Sequence, residues 1–317
     1  MHKLVILEKI DDKYIQEIKK VIPEWQIIEL QEPFDDKMIE DAEILLGWDK
    51  RAIKNCLHDC TSLKWVQVWS AGVNGMPFDE FKKYGIILTN ASGVHSIPIA
   101  ETVFGMMLAF TRKINAYIRN QMNKKWDRSY NGGELFGKTI GILGVGAIGR
   151  EIAKLAKAYN MSTLGFRHSG KPTDYIDVMY SKDNVTELFE LSDYVVNTLP
   201  LTNDTFHIIN KSCFFAMKPS AYYFNVGRGA THDEAALIEA LKNGQIAGAG
   251  LDVFETEPLP IDSPLWDMDN VIITPHTAGN SDRYAERVIK NIFLPNLLAY
   301  ISGSKELINQ VDLDKQY

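Results

Sequence analysis

The run Gly144-Val145-Gly146-Ala147-Ile148-Gly149 constrains this chain more than any other segment. It reads G-x-G-x-x-G, with an apolar, β-rich run before it (139–143) and a helical pattern after it (150–158). Alone, such a hexamer is weak; between a strand and a helix it is specific. The first glycine permits a tight turn, the second lets the backbone approach a pyrophosphate, and the third lets helix and strand pack closely. The helix start then offers free N–H groups and partial positive charge. The segment predicts a dinucleotide-binding β-α-β unit, with Gly144, Gly146 and Gly149 at the phosphates.

The rest of the chain has the matching rhythm. Residues 3–7, 25–30, 44–48, 64–68 and 86–89 read as strands, with helical patterns such as 13–20 and 50–60 between them. After a long helical stretch at 100–113, a second series follows at 139–143, 162–166, 194–199, 221–226, 247–253 and 271–274. Short apolar strands alternating with helices imply parallel sheets covered on both faces. The segment 281–302 reads as one more helix, free to pack back on the first unit. At 317 residues, two domains are expected.

Composition removes several function classes. The formal net charge is −7, whereas a general binder of nucleic acid or membrane surface usually carries the opposite sign. The N-terminal apolar run stops at Glu8, short of the ~7–15 residues of a signal peptide core. Three cysteines, Cys56, Cys60 and Cys213, argue against a secreted disulfide framework. The expected setting is reducing and cytoplasmic. Cys56, His58 and Cys60 lack metal-site spacing even if the two thiols share a helix face, so no metal is expected.

A dinucleotide fold that selects NAD usually places an acid ~20 residues beyond the loop to hold the ribose. Here the second strand ends in Arg167-His168-Ser169-Gly170-Lys171. An acid repels a 2′-phosphate, whereas this run attracts one. NADP(H) is predicted over NAD(H), with Arg167, His168 and Ser169 at the phosphate. The alternative is that Arg167 stacks on adenine or pairs with Asp174.

Ligands of open α/β sheets lie beyond the carboxyl ends of the strands. Arg228 follows 221–226, Glu255 and Glu257 follow 247–253, and His276 follows 271–274. Arg can hold a carboxylate through two parallel bonds. His can give a proton to a developing alkoxide, and a carboxylate on its other nitrogen favours the charged ring. Arg228, Glu257 and His276 are therefore the candidate catalytic residues. His95 and His168 are second choices. His232 lies in Thr231-His232-Asp233-Glu234, which reads as a helix capping box. Leu199 and Pro200 at the end of 194–199, and Gly279 beyond His276, complete the expected cofactor set.

On these residues the chain resembles the D-isomer-specific 2-hydroxyacid dehydrogenase family. The likeness runs from about 63 to 303 and is most specific at 144–149, 225–229, 251–259 and 274–276. The resemblance implies that Arg228 binds substrate, Glu257 partners the histidine and His276 is the acid/base. It places the Ala147 and Ile148 backbone at the pyrophosphate and Asp252 near the nicotinamide carboxamide, with Val226 and Gly227 as a backbone wall beside the ring. It makes Ala71, Gly72 and Val73 a loop whose amides cradle the substrate carboxylate. Asn74 stands where many members have Asp, and Arg283 is a further candidate positive charge.

The implied fold is α/β with two Rossmann-like domains. One is a dinucleotide-binding parallel sheet (99–281); the other is a flavodoxin-like substrate domain built from both chain ends (1–98 and 282–317). The expected activity is NADPH-dependent reduction of glyoxylate, hydroxypyruvate or a larger 2-ketoacid to the D-2-hydroxyacid, in a homodimer. The rivals are an NAD-dependent phosphoglycerate or D-lactate dehydrogenase and a non-catalytic dinucleotide-sensing scaffold. Trp48, Trp69, Met76 and Trp126 are candidate pocket side chains.

Overall fold

The computed structural model describes residues 2–30, 32–59, 61–73, 75–181, 185–304 and 306–315. The chain forms two compact units, residues 1–94 with 281–317, and residues 95–280.

The first unit is built on five short parallel strands: β1 (Lys3–Ile6), β2 (Gln26–Glu29), β3 (Ile44–Leu46), β4 (Trp65–Gln67) and β5 (Ile87–Thr89). Their order is β2-β1-β3-β4-β5. Because side chains alternate along a strand, Val5 and Leu45 enter one core layer and Leu4, Ile6, Ile44 and Leu46 the other. Helices α1 (Asp12–Val21), α2 (Arg51–Cys56) and α3 (Phe78–Tyr84) connect the strands. Helix α2 stops at Cys56, so the helical pattern predicted for 50–60 overshoots. His58 lies outside the helix, and the shared helix face for Cys56 and Cys60 loses its basis. Cys60 itself lies outside the described residues.

The segment 281–302 is not one regular helix. It runs as α10 (Tyr284–Val288), a π-helical turn (Ile289–Phe293) and α11 (Leu294–Ile301). Pro295 lacks an N–H and crowds the preceding turn, and the wider turn before it accommodates both. The helix still packs on its own unit through Ile289, Phe293 and Leu297.

The second unit carries seven parallel strands: β6 (Thr139–Leu143), β7 (Ser162–Phe166), β8 (Val178–Tyr180), β9 (Tyr194–Asn197), β10 (Tyr222–Asn225), β11 (Gly248–Leu251) and β12 (Val271–Ile273). Their order is β12-β11-β10-β9-β6-β7-β8. The sequence reading missed β8, a short edge strand. Helices α4 (Ser96–Thr111), α5 (Ile114–Met122), α6 (Ala147–Ala158), α7 (Val185–Leu191), α8 (Lys211–Ala216) and α9 (Glu234–Lys242) complete the unit. Two apolar layers, one on each sheet face, bury the strands. Among the described residues, no helix is long and apolar enough to cross a membrane.

Candidate active site

All seven strands of the second unit are parallel, so their carboxyl ends share one edge. The Gly-rich loop joins β6 to α6 there. Gly144 has φ +91°, which favours glycine. A Cβ on Gly149 would sit 2.6 Å from the carbonyl oxygen of Gly144, so only glycine allows helix and strand to meet. Around Gly146 a Cβ would meet nothing within 4 Å. The N–H groups of Ala147, Ile148 and Gly149 have no acceptor among the described residues. The result is an open backbone cradle with free donors at a helix start, which fits a pyrophosphate.

Arg167, His168 and Ser169 leave the neighbouring strand, β7. Among the described residues no ion pair forms between Arg167 and Asp174 or any other acid, and His168 and Ser169 are exposed. Arg167 thus offers an uncommitted cation where the sequence lacks an acid.

Three further side chains follow three adjacent strands. Arg228 follows β10, Glu257 follows β11 and His276 follows β12, with neighbouring strands ~4.8 Å apart. His276 Nδ1 donates to Glu257 Oε2 at 2.7 Å. A carboxylate only accepts, so Nδ1 carries a proton and Nε2 is the nitrogen left free. Glu257 Oε1 accepts the N–H of Phe254 at 3.0 Å, which fixes the carboxyl.

His276 is held from below by Asp252, which is 3% exposed. Asp252 Oδ1 accepts from Thr274 Oγ1 (2.6 Å), the Thr277 N–H (2.9 Å) and the Ala278 N–H (3.1 Å). The Asp252 carbonyl takes the His276 N–H at 2.8 Å. These bonds hold His276 at φ +53°, a left-handed conformation a non-glycine side chain adopts only when its surroundings impose it. Gly279 closes this loop, its carbonyl 3.1 Å from His95 Nδ1.

The Arg228 turn has its own buried support, which sequence reasoning did not find. Asn225 Oδ1 accepts from the Gly227 N–H (3.1 Å) and Asn197 Nδ2 (3.0 Å). Asn225 Nδ2 donates to the Arg228 carbonyl (3.1 Å) and to His232 Nδ1 (2.7 Å). Thr231 Oγ1 donates to the same Arg228 carbonyl at 2.6 Å, and Asn197 Oδ1 accepts the Leu199 N–H at 3.1 Å. Pro200, the next residue, is exposed, and Val226 is buried beneath the turn. Arg228 itself is exposed and spends one guanidinium donor on the Gly227 carbonyl, 2.7 Å away.

The capping box predicted around His232 is not formed. Asp233 caps α9 by accepting from the Ala236 N–H, while Thr231 and His232 turn inward to Asn225 and Arg228. His232 is fully buried, and burial pushes its pKa down to about 4. Its Nε2 has no partner among the described residues. The second acidic candidate also has another task. Glu255 pairs with His207 at 2.8 Å and exchanges backbone bonds with Glu234, so only Glu257 meets His276.

In the first unit, residues 69–73 leave β4 as a pinned loop. The Ala71 carbonyl accepts from Asn90 Nδ2 at 2.9 Å, and the Ser70 carbonyl takes the Ala91 N–H at 2.9 Å. The N–H groups of Ala71, Gly72 and Val73 have no acceptor among the described residues. Asn74 lies outside the described residues. Tyr284 donates its hydroxyl to the Trp69 carbonyl, and the two rings meet edge to face. Trp126, in the second unit, is 89% exposed. Arg283 is exposed on the first unit, next to Tyr284. Among the described residues no group of three His, Cys, Asp or Glu side chains converges to hold a metal ion.

Residues 104–278 match the family model "D-isomer specific 2-hydroxyacid dehydrogenase, NAD binding domain". The chain is 35% identical over 271 residues to a glyoxylate reductase of Thermococcus litoralis, a match covering 83% of this chain and 81% of the relative. It is 34% identical over 284 residues to a D-3-phosphoglycerate dehydrogenase of Methanocaldococcus jannaschii; that match covers 88% of this chain but spans only 54% of the relative's length. Among solved structures, it superposes with a TM-score of 0.79 and 25% identity on an NADPH-dependent glyoxylate/hydroxypyruvate reductase of Sinorhizobium meliloti in complex with NADP and sulfate, with 100% of each chain covered. With the matched model spanning more than half of its length, the chain belongs to the D-isomer-specific 2-hydroxyacid dehydrogenase family.

Proposed function

We propose that the chain is an NADPH-dependent reductase that converts a 2-ketoacid to the D-2-hydroxyacid. The second unit is read as the dinucleotide-binding domain and the first as the substrate domain. The observation that carries the reading is the His276–Glu257 bond on strand ends next to Arg228, on the same edge as the Gly-rich loop.

The dinucleotide, when bound, supplies the hydride. Gly144, Gly146, Ala147, Ile148 and Gly149 hold its pyrophosphate, and Arg167, His168 and Ser169 hold the 2′-phosphate. Leu199, Pro200, Val226, Gly227, Asp252 and Gly279 line the remainder of its path. Arg228 keeps guanidinium donors free for a carboxylate and polarises the adjacent carbonyl. In the first unit, the Ala71, Gly72 and Val73 amides offer a second set of carboxylate donors. His276, charged through Glu257 with a proton on each nitrogen, gives the Nε2 proton to the carbonyl oxygen as it becomes an alkoxide and is left as the neutral Nδ1–H ring. Glu257, bonded to Nδ1, holds the ring's orientation through that step.

The Thermococcus relative and the Sinorhizobium structure support the substrate class and, for the latter, the cofactor. The phosphoglycerate dehydrogenase relative favours a second reading, in which a phosphorylated ketoacid is the substrate. We further read the protein as cytoplasmic and as a homodimer. The dimer is supported by apolar side chains exposed on one stretch of the second unit: Ile118 (53%), Met122 (79%), Trp126 (89%) and Phe136 (67%).

The test is a panel of 2-ketoacids, phosphorylated and not, with NADPH and NADH, followed by nicotinamide absorbance. A lower KM for NADH than for NADPH overturns the cofactor assignment. Preference for the phosphorylated acid selects the second reading. Tight dinucleotide binding with no turnover makes the protein a sensing scaffold.

A further inference from the structure

A cavity of about 370 Å³ opens on the first unit, over the carboxyl ends of β1, β2 and β3. Leu7, Leu30, Phe34 and Trp48 form its apolar wall. Strand β4, which feeds the loop 69–73, lies beside β3 in the same parallel sheet, so loop and cavity share one edge.

The wall is held open rather than collapsed. Leu7, Phe34 and Trp48 pack against the core yet stay only half-buried. Trp48 is braced edge-on by Phe81, with ring centroids 5.4 Å apart. Phe34 lies under the Arg51 guanidinium, 3.8 Å from its ring centroid. Arg51 is in turn clamped on both oxygens of Asp49 at 2.9 Å and paired with Glu32. A braced, half-exposed apolar wall of this size is what a small apolar group fills with gain, because filling it removes apolar surface from water without disturbing the wall.

The charges at this edge give an anionic guest no net attraction. Of the acids lining the cavity, Glu32 and Asp49 are already paired with Arg51, and Lys9 is the one lining cation among the described residues. Glu8 adds a half-buried carboxyl with no ion pair among the described residues. Burial raises its pKa.

We infer that this cavity receives the substituent of the 2-ketoacid, and that the substituent is bulky, apolar and uncharged, of the branched or aromatic kind. The inference rests on the reading of the 71–73 amides as the carboxylate-binding loop. It separates this chain from relatives named for glyoxylate, whose substrate has no substituent to place.

The experiment measures kcat/KM of the purified full chain with phenylpyruvate, 4-methyl-2-oxopentanoate, glyoxylate and 2-oxoglutarate. Phenylpyruvate and 4-methyl-2-oxopentanoate should exceed both others by about 10-fold or more. In Trp48→Ala the phenylpyruvate-to-glyoxylate ratio should fall by about 10-fold. Phe34→Ala, on a loop outside the strands, should lower the same ratio and guards against a Trp48 variant that fails to fold. A wild-type preference for glyoxylate or 2-oxoglutarate overturns the inference, as does an unchanged ratio in both variants. Turnover of glyoxylate without the bulky acids removes this inference alone; no turnover of any ketoacid removes the proposed function with it.

Discussion

His276 and Glu257 form a bond in which both partners are fixed from behind: Asp252 anchors the backbone on either side of the imidazole, and the Phe254 N–H anchors the carboxyl. The pair therefore keeps a proton on Nδ1 and the ring in one orientation without help from a ligand. Replacing His276 with Ala should cut kcat by ~10²–10⁴-fold, the range of a lost general acid. Glu257→Gln keeps the shape but removes the charge and should cost roughly 10–100-fold. NADPH affinity, measured by fluorescence titration, should stay within about threefold in both. A His276→Ala enzyme with kcat within twofold of wild type ends the assignment.

Among the described residues Arg167 pairs with no acid, which leaves its charge available to a 2′-phosphate. Arg167→Asp should lower kcat/KM for NADPH by about 10–100-fold, corresponding to the ~1.5–3 kcal/mol of a charge-assisted hydrogen bond. The same change should leave or improve kcat/KM with NADH. Equal losses with both dinucleotides would place Arg167 on the adenine face instead.

Much of this architecture is legible because it is written locally. Apolar runs of four or five residues betray buried parallel strands, and the Gly-rich hexamer shows itself because its three glycines answer three different steric demands. His276 and Glu257 stand out because each follows such a run. What stays hidden is what depends on distant partners. Strand β8, Val178-Met179-Tyr180, is apolar but only three residues long, too short to stand out, and the Asp177 carboxylate before it ties it to β7 by accepting the Thr163 N–H at 2.9 Å. β3 ends early because Gly47 turns at φ +101°. Asn225 and His232 look like ordinary polar residues until the fold brings Asn197, on another strand, to meet Asn225, which in turn holds His232.

Two glycines should behave oppositely when given a methyl group. At Gly229 a Cβ would fall 1.9 Å from the Phe254 carbonyl carbon and oxygen. No side-chain shift relieves a clash with backbone, so Gly229→Ala should cost more than about 4 kcal/mol or yield no soluble protein. At Gly146 the space is open and φ is −92°. Gly146→Ala should keep the melting temperature within about 2 °C yet weaken dinucleotide binding by about tenfold or more, since the methyl stands where a pyrophosphate must approach. Calorimetry with a binding titration reads both, and a Gly146→Ala protein with unchanged affinity contradicts the cradle.

His232 should make stability depend on pH in a definite window. The arrangement of Asn225 fixes its chemistry: Oδ1 takes two N–H donors, so Nδ2 must donate, and His232 Nδ1 must accept. The ring is thereby neutral in the fold, with its pKa held near 4 by burial, while an unfolded histidine titrates near ~6.5. Between those values the unfolded chain binds a proton that the folded chain refuses. Stability is therefore complete above ~6.5 and declines as pH falls toward 4, by on the order of 3 kcal/mol from this group. His232→Leu fills a similar volume and has nothing to titrate. Urea unfolding at about pH 7, 5.5 and 4.5 should give a shallower decline in the variant than in the wild type. Carboxylates contribute equally to both proteins, so the difference belongs to His232, and parallel pH profiles would show that the imidazole is not the buried, neutral acceptor beneath the Arg228 turn.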